Sequence, residues 1–162
     1  SLDHQTSPLI GGGFLPMEAL EDMLKGFISL NEDDIFNEAV DNPETKELIV
    51  YLQTVDQLRN RGVDAHDDPL PSYSPATKKR KIEEGETWQH MTLKDTGEMQ
   101  RSTDVEVGYE EVIIEMDTIK GGEDLTRRYD FVGLTDNNLA RVSNDIQPKI
   151  IEKIEEHVYK GF

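Results

Sequence analysis

Along this chain of 162 residues the spacing of apolar side chains changes twice, and that change limits the folds open to it. From Met17 to Leu58 apolar residues recur three or four apart, from Val105 to Met116 they alternate, and from Leu139 to Val158 they return to steps of four. A period near 3.6 belongs to an amphipathic helix and a period of 2 to a half-buried strand. One short alternating stretch supports a hairpin, not a large sheet. The expected class is therefore α+β, with helices packed on a small antiparallel β-sheet, a long N-terminal helix pair and a C-terminal helix.

Met17, Leu20, Met23, Leu24, Phe27 and Ile28 outline one short helix, and Ile35, Phe36 and Val40 outline a second after the polar break Asn31 to Asp34, with Asn31 or Asp33 as its N-cap. Pro43 opens a helix expected over residues 43 to 60, its apolar face made by Leu48, Tyr51 or Leu52, Val55 and Leu58, and Gly62 stops it. Residues 64 to 73 are dense in Asp and Pro and read as a loop. A further short helix is expected from Ser74-Pro75 to Glu83, carrying the basic run Lys78 to Lys81. Trp88 to Leu93 fits neither period.

Val105, Val107 and Tyr109 alternate in one parity and Val112, Ile114 and Met116 in the other, which places strands at 102 to 107 and 111 to 117 around a turn or bulge. Gly121-Gly122 marks another turn, and 123 to 129 reads as a short helix. Thr135 or Asp136 caps the terminal segment, in which Pro148 is expected to kink or restart the helix. Residues 1 to 42 read as an N-terminal arm with short helices and 43 to 162 as a single α+β domain. Whether Ser1 to Gly13 is a native flexible arm or an added leader stays open, and no internal repeat is found.

Asp and Glu number 34 against 17 Lys and Arg, a net charge of −17 that argues against binding nucleic-acid backbones. An acidic wall can instead line a channel through which DNA slides without sticking. With no cysteine there is neither disulfide framework nor thiolate chemistry, which fits assembly in a reducing cytosol. No apolar run reaches membrane-spanning length, and the first residues lack the order of a signal peptide.

The residues that could carry chemistry are scattered. His4, His66, His90 and His157 show no metal-ligand spacing, and His66-Asp67-Asp68 reads as a polar loop. Asn31 to Asp34 lacks the alternation and central Gly of a calcium loop, and Gly11-Gly12-Gly13 lacks the Lys-Ser or Lys-Thr of a phosphate loop. No acidic pair is marked out for acid–base work, so no enzyme activity, cofactor or metal is expected. Lys78-Lys79-Arg80-Lys81 has the form of a nuclear import signal, and a solvated helix face produces the same run.

One ordered set of residues remains: Gln57-Leu58, Gly62-Val63-Asp64-Ala65, Leu70, Tyr73-Ser74 with Thr77, the basic run ending at Gly85, Thr92-Leu93-Lys94-Asp95-Thr96-Gly97, and Ser102. In order and spacing this set resembles a family of phage and prophage proteins common in Bacteroidetes, grouped with head–tail joining, tail-completion and virion morphogenesis proteins. The resemblance continues more loosely through Leu125, Tyr129, Phe131 to Thr135 with Gly133-Leu134, and Gln147-Pro148. Asp130 and Arg128 depart from the Gly and Lys of the family pattern. Coverage is roughly residues 44 to 160.

The resemblance implies a structural component of a tailed-phage virion, a neck or head–tail connector or a tail-completion protein, working as a homo-oligomer with portal, adaptor or tail proteins. It would assemble in the bacterial cytoplasm and reside in the virion. The residues implied as its motif and assembly set are Gly62, Tyr73, Ser74, Thr77, Leu93, Asp95, Thr96, Gly97, Ser102, Tyr129, Gly133 and Leu134. Exposed loops at 62 to 74 and 118 to 124 would serve neighbour contacts. The alternative is an acidic, nuclear-targeted interaction protein that uses the basic run. A hydrolase acting through surface carboxylates ranks third.

Overall fold

The structure is a computed structural model that describes residues 32 to 108 and 111 to 160. The helix expected within residues 16 to 30, the Asn31 cap and Tyr109 lie outside those residues. The fold is α+β. In chain order it comprises helix α1 (Glu32–Val40), α2 (Pro43–Tyr51) continued by the wider-turned segment Leu52–Arg61, α3 (Pro75–Glu83), the single turn α4 (Glu98–Arg101), strands β1 (Asp104–Gly108), β2 (Glu111–Glu115), β3 (Ile119–Lys120) and β4 (Glu123–Asp124), a 3-10 turn Leu125–Arg127, and α5 (Asp136–Lys160). β1 and β2 form a two-stranded sheet, and their connection of two residues makes it antiparallel. β3 and β4 form a second ribbon, Ile119 opposite Asp124 and Lys120 opposite Glu123, across the expected Gly121-Gly122 turn.

The described residues divide into two compact units, one made of 32 to 49, 105 to 108, 111 to 113 and 136 to 160, the other of 50 to 104 and 114 to 135. In the first unit α1 packs on the terminal helix α5. Ile35, Phe36, Ala39 and Val40 form the buried face of α1, and Val142, Ile146, Ile150 and Ile154 that of α5. The four-residue step in the sequence is thus a core stripe. Asn42 caps α2 by accepting the Thr45 N–H (3.0 Å), with Pro43 in the first turn. Thr45 Oγ1 donates to Asp145 (3.2 Å), and Lys149 Nζ donates to both Thr45 Oγ1 (2.7 Å) and Asp145 (2.9 Å), tying α2 to α5.

Two expectations for these helices need correction. Asp33 lies inside α1, not at its cap. Of the kink or restart expected at Pro148, the restart does not occur, since α5 runs through it as one helix. Pro148 and Asn144 are both exposed, so the carbonyl that loses its donor four residues upstream lies on the wet side of the helix.

In the second unit, Leu58, Leu70, Met91 and Phe131 form the buried core, with Tyr73, Leu93, Met116 and Tyr129 packed on it. The helical segment leading into that core is where the expected apolar face shifts. Leu48 and Val55 are only half-buried and Tyr51 is exposed, while Leu52, Gln53, Gln57 and Leu58 are buried. Thr54 Oγ1 donates to the Val50 carbonyl (2.7 Å), taking up the acceptor of the ordinary helical bond where the ladder opens to i→i−5. The wider turns align positions four and five apart and carry two glutamines inward.

Residues 123 to 129 are also corrected: Glu123–Asp124 is strand β4, and only Leu125–Arg127 turns, as a 3-10 helix. Asp124 accounts for both parts, since its carboxylate accepts from the Thr118 hydroxyl (2.8 Å) and from the Thr126 N–H (3.0 Å) and hydroxyl (2.7 Å). These bonds hold the Asp124 carboxyl below the usual aspartate range, those from Thr126 foremost. The loop at 118 to 124 is thus a stiffened ribbon, with Ile119 66% exposed at its edge.

Candidate assembly module

The twelve residues singled out in the sequence all fall in the second unit. Gly62 ends the wide helical segment in the left-handed conformation (φ +61°) and donates its N–H to the Gln57 carbonyl. A Cβ there would lie 2.8 Å from the Met91 carbonyl oxygen, a backbone atom that cannot step aside. Gly62→Ala is therefore expected to cost about 2 kcal/mol or more by urea unfolding, from left-handed strain together with the clash. A loss below half of that would mean that the loop relaxes freely.

The loop that follows closes on itself. Asp64 accepts the N–H groups of His66 (2.8 Å) and Asp68 (3.0 Å), Val63 bridges Pro69, and Ala65 N–H donates to the Asp130 carbonyl (2.9 Å). His66 Nε2 lies 2.6 Å from the Asp130 carboxylate. That hydrogen bond, together with the charge of Asp130, raises the His66 pKa above the ordinary histidine value. The contribution of the pair is full below the ordinary midpoint and is lost as pH rises through the elevated one. Proton NMR should find the His66 midpoint elevated, and Asp130→Asn should return it toward the ordinary value. An unchanged midpoint in that variant would remove the assignment.

Ser74 caps α3 by accepting the Thr77 N–H (3.2 Å), and its hydroxyl pairs with that of Thr77 (2.9 Å). Tyr73 packs on the core, and its hydroxyl accepts the Thr92 N–H (2.9 Å). Leu93 takes a left-handed φ of +55° with its side chain against the same core, so the chain turns sharply while keeping an apolar anchor. Asp95 reaches Lys120 Nζ (2.8 Å) and, more loosely, Arg80 (3.5 Å). The bond from Lys120 is the chief cause of the lowered Asp95 pKa.

Thr96 Oγ1 accepts the Glu98 N–H (3.4 Å), Gly97 opens α4 at φ +85°, and Ser102 accepts the Asp117 N–H (2.9 Å) while donating to the Met99 carbonyl (2.7 Å). Tyr129 packs on the core, Gly133 adopts φ +136°, and Leu134 is buried. Tyr73, Leu93 and Tyr129 pack on one core, and Leu93, Asp95, Thr96 and Gly97 line one shared cleft. Among the described residues no three His, Asp or Glu side chains gather as metal ligands, and no helix is long and apolar enough to cross a membrane.

Two features escaped the sequence reading. The first is Gln53, together with the buried role it shares with Gln57 of the motif set. Gln53 donates to the Phe131 carbonyl (2.7 Å) and accepts the Gly133 N–H (2.8 Å), and Gln57 donates to the Gly133 carbonyl (2.8 Å) and accepts the Thr135 N–H (2.9 Å). The two side-chain amides thus do for residues 131 to 135 what a neighbouring strand would do. The second is Lys81, only 2% exposed, which donates to Glu86 (2.7 Å) and to the Lys94 carbonyl (3.0 Å) and lies 5.1 Å from the Tyr73 ring centroid. The basic run is therefore not a uniformly solvated face. At the ordinary helical step Gln53 and Gln57 fall opposite the expected apolar face, so the wider turns alone bring them inward, and nothing local distinguished Lys81 from its neighbours.

Comparison of the chain with protein-family models, with curated protein sequences and with solved structures gave no match.

Proposed function

We propose that this chain is a structural component of a tailed-phage virion, a neck or head–tail connector or a tail-completion protein that acts by oligomeric assembly. The observation that carries the reading is the use made of the motif residues. All twelve lie in one unit, and each sets a turn, caps a helix, packs on the core or locks one loop to another. Such a set suits a part that must hold its loops in fixed shape while neighbours dock on them.

The two-stranded sheet adds to the reading. Within it Glu106, Glu111 and Glu115 are exposed, so the ribbon offers backbone edges and carboxylates on the same element. Edge pairing between copies is one route to a ring, and an acidic lining would keep DNA from adhering. The nuclear-interaction alternative needs Lys78 to Lys81 as an exposed run, and the burial of Lys81 counts against it.

Deleting the gene from a phage or prophage that carries it tests the proposal. Electron microscopy is expected to show heads and tails that fail to join, or tails that end abnormally. Normal infectious particles in the deletion strain would overturn it.

A further inference from the structure

The second unit contains a cleft of about 530 Å3 whose walls include Arg59, Lys81, Glu86, Lys94, Gln100 and Arg101. Its charge is opposite to that of the whole chain. Lys81 and Glu86 form an ion pair and cancel. Arg59, Lys94 and Arg101 make no ion pair with any described residue, although Asp and Glu outnumber Lys and Arg two to one in the chain. The charge of Lys94 also acts on Glu86, and Arg101 Nη1 donates to the Thr96 carbonyl (3.2 Å), so the wall holds four cations against the one carboxylate of Glu86 and is net positive.

Two of these cations converge. A Cβ built on Gly97 would lie 2.9 Å from Arg101 Nη1 and 3.6 Å from Lys94 Cε, so both side chains close over the same glycine. Gly97 is buried beneath them, with φ +85°. Like charges brought together repel unless an anion joins them. The guanidinium offers a fork of donors and the ammonium a point charge, the pairing that suits a doubly charged oxyanion. On the same wall, Gln100 Oε1 is buried without a hydrogen-bond partner, while Gln100 Nε2 donates to the Thr92 carbonyl (3.3 Å). That free acceptor matches a donor on an organic portion of the same ligand.

We infer that this cleft binds a small phosphorylated molecule, its phosphate between Lys94, Arg101 and Arg59 and its organic part along the wall at Gln100. The volume suits such a ligand and exceeds what one inorganic phosphate fills. A net charge of −17 opposes long polyanions, yet it does not prevent a small dianion from entering a locally positive cleft. The inference goes beyond the assembly reading and does not depend on it.

Calorimetric titration at low ionic strength with inorganic phosphate, pyrophosphate and adenosine monophosphate tests it. One saturable site per chain is expected, with an organic phosphate or pyrophosphate binding more tightly than inorganic phosphate. Lys94→Gln with Arg101→Gln should weaken binding by about tenfold or more, the loss of charge-assisted bonds. Lys78→Gln with Lys79→Gln removes the same charge outside the cleft and should leave affinity nearly unchanged, and Arg101→Lys should recover part of the loss. No saturable binding of any probe would overturn the inference, as would equal weakening in both double variants.

Discussion

Gln57→Leu is expected to destabilise the protein by about 3 kcal/mol in urea unfolding, and Gln53→Leu by a similar amount. Leucine fills much of the same space, so loss of volume is a minor part of the effect. The larger part is the backbone left without partners: the Gly133 carbonyl and Thr135 N–H after the first substitution, the Phe131 carbonyl and Gly133 N–H after the second. Phe131 and Thr135 are buried, at 0% and 1% exposure, so water cannot replace the lost bonds without opening the core. Each orphaned group costs roughly 1 to 3 kcal/mol. Because both substitutions release the same five-residue stretch, the double variant should lose less than the sum of the singles. Hydrogen exchange would show the Gly133 and Thr135 amides losing protection. A loss well under 1 kcal/mol in either single variant would show that the stretch is held by packing alone.

Lys81 gives the second large effect. Lys81→Ala is expected to cost about 4 kcal/mol, combining a broken buried ion pair with a cavity where the stem packed. Lys81→Met retains most of the stem and should cost less, about 2 kcal/mol, since Glu86 is 27% exposed and regains some water. The pH dependence separates charge from packing. The Lys81 hydrogen bond chiefly lowers the Glu86 pKa below the usual glutamate range, so this part of the stability is complete above that range and is lost as pH falls through the lowered value. The wild-type and Lys81→Met stability curves should therefore converge in acid. Parallel curves would assign the whole effect to packing.

The sequence displayed what depends on period and on turn chemistry. Val142, Ile146, Ile150 and Ile154 recur at the helical step and are buried, the alternating Val105 and Val107 lie in β1 with Val112 and Ile114 in β2, and Gly62 and Gly121-Gly122 mark a helix end and a turn. It concealed whatever depends on a partner distant in the chain. Gln53 carries no mark in the sequence and Gln57 stands only as the start of the motif set, and the carbonyls and amides some 76 to 80 residues later make both core residues. Lys81 reads as one of four exposed cations until Glu86 and the Lys94 carbonyl close on it. Asp124 caps the turn after it, yet the Thr118 hydroxyl, six residues earlier, is what fixes it in a ribbon and not in a helix.

The motif set shows the same limit. Its glycines and Ser74 have local roles that their residue types announce. The positive φ of Leu93 and the tie from Ser102 to Asp117 have no local signature, because they depend on the shared core and on the strand that follows. The cleft cations are dispersed over Arg59, Lys94 and Arg101, and folding alone brings them to one wall.

The most direct test of the account is mass spectrometry of purified tailed-phage particles from a host that carries the gene. This chain is expected in the intact particle, in several copies per portal ring and resistant to washes that strip loosely bound host proteins. Its absence from particles that contain portal and tail proteins, while the cell expresses it, would contradict a structural role in the virion.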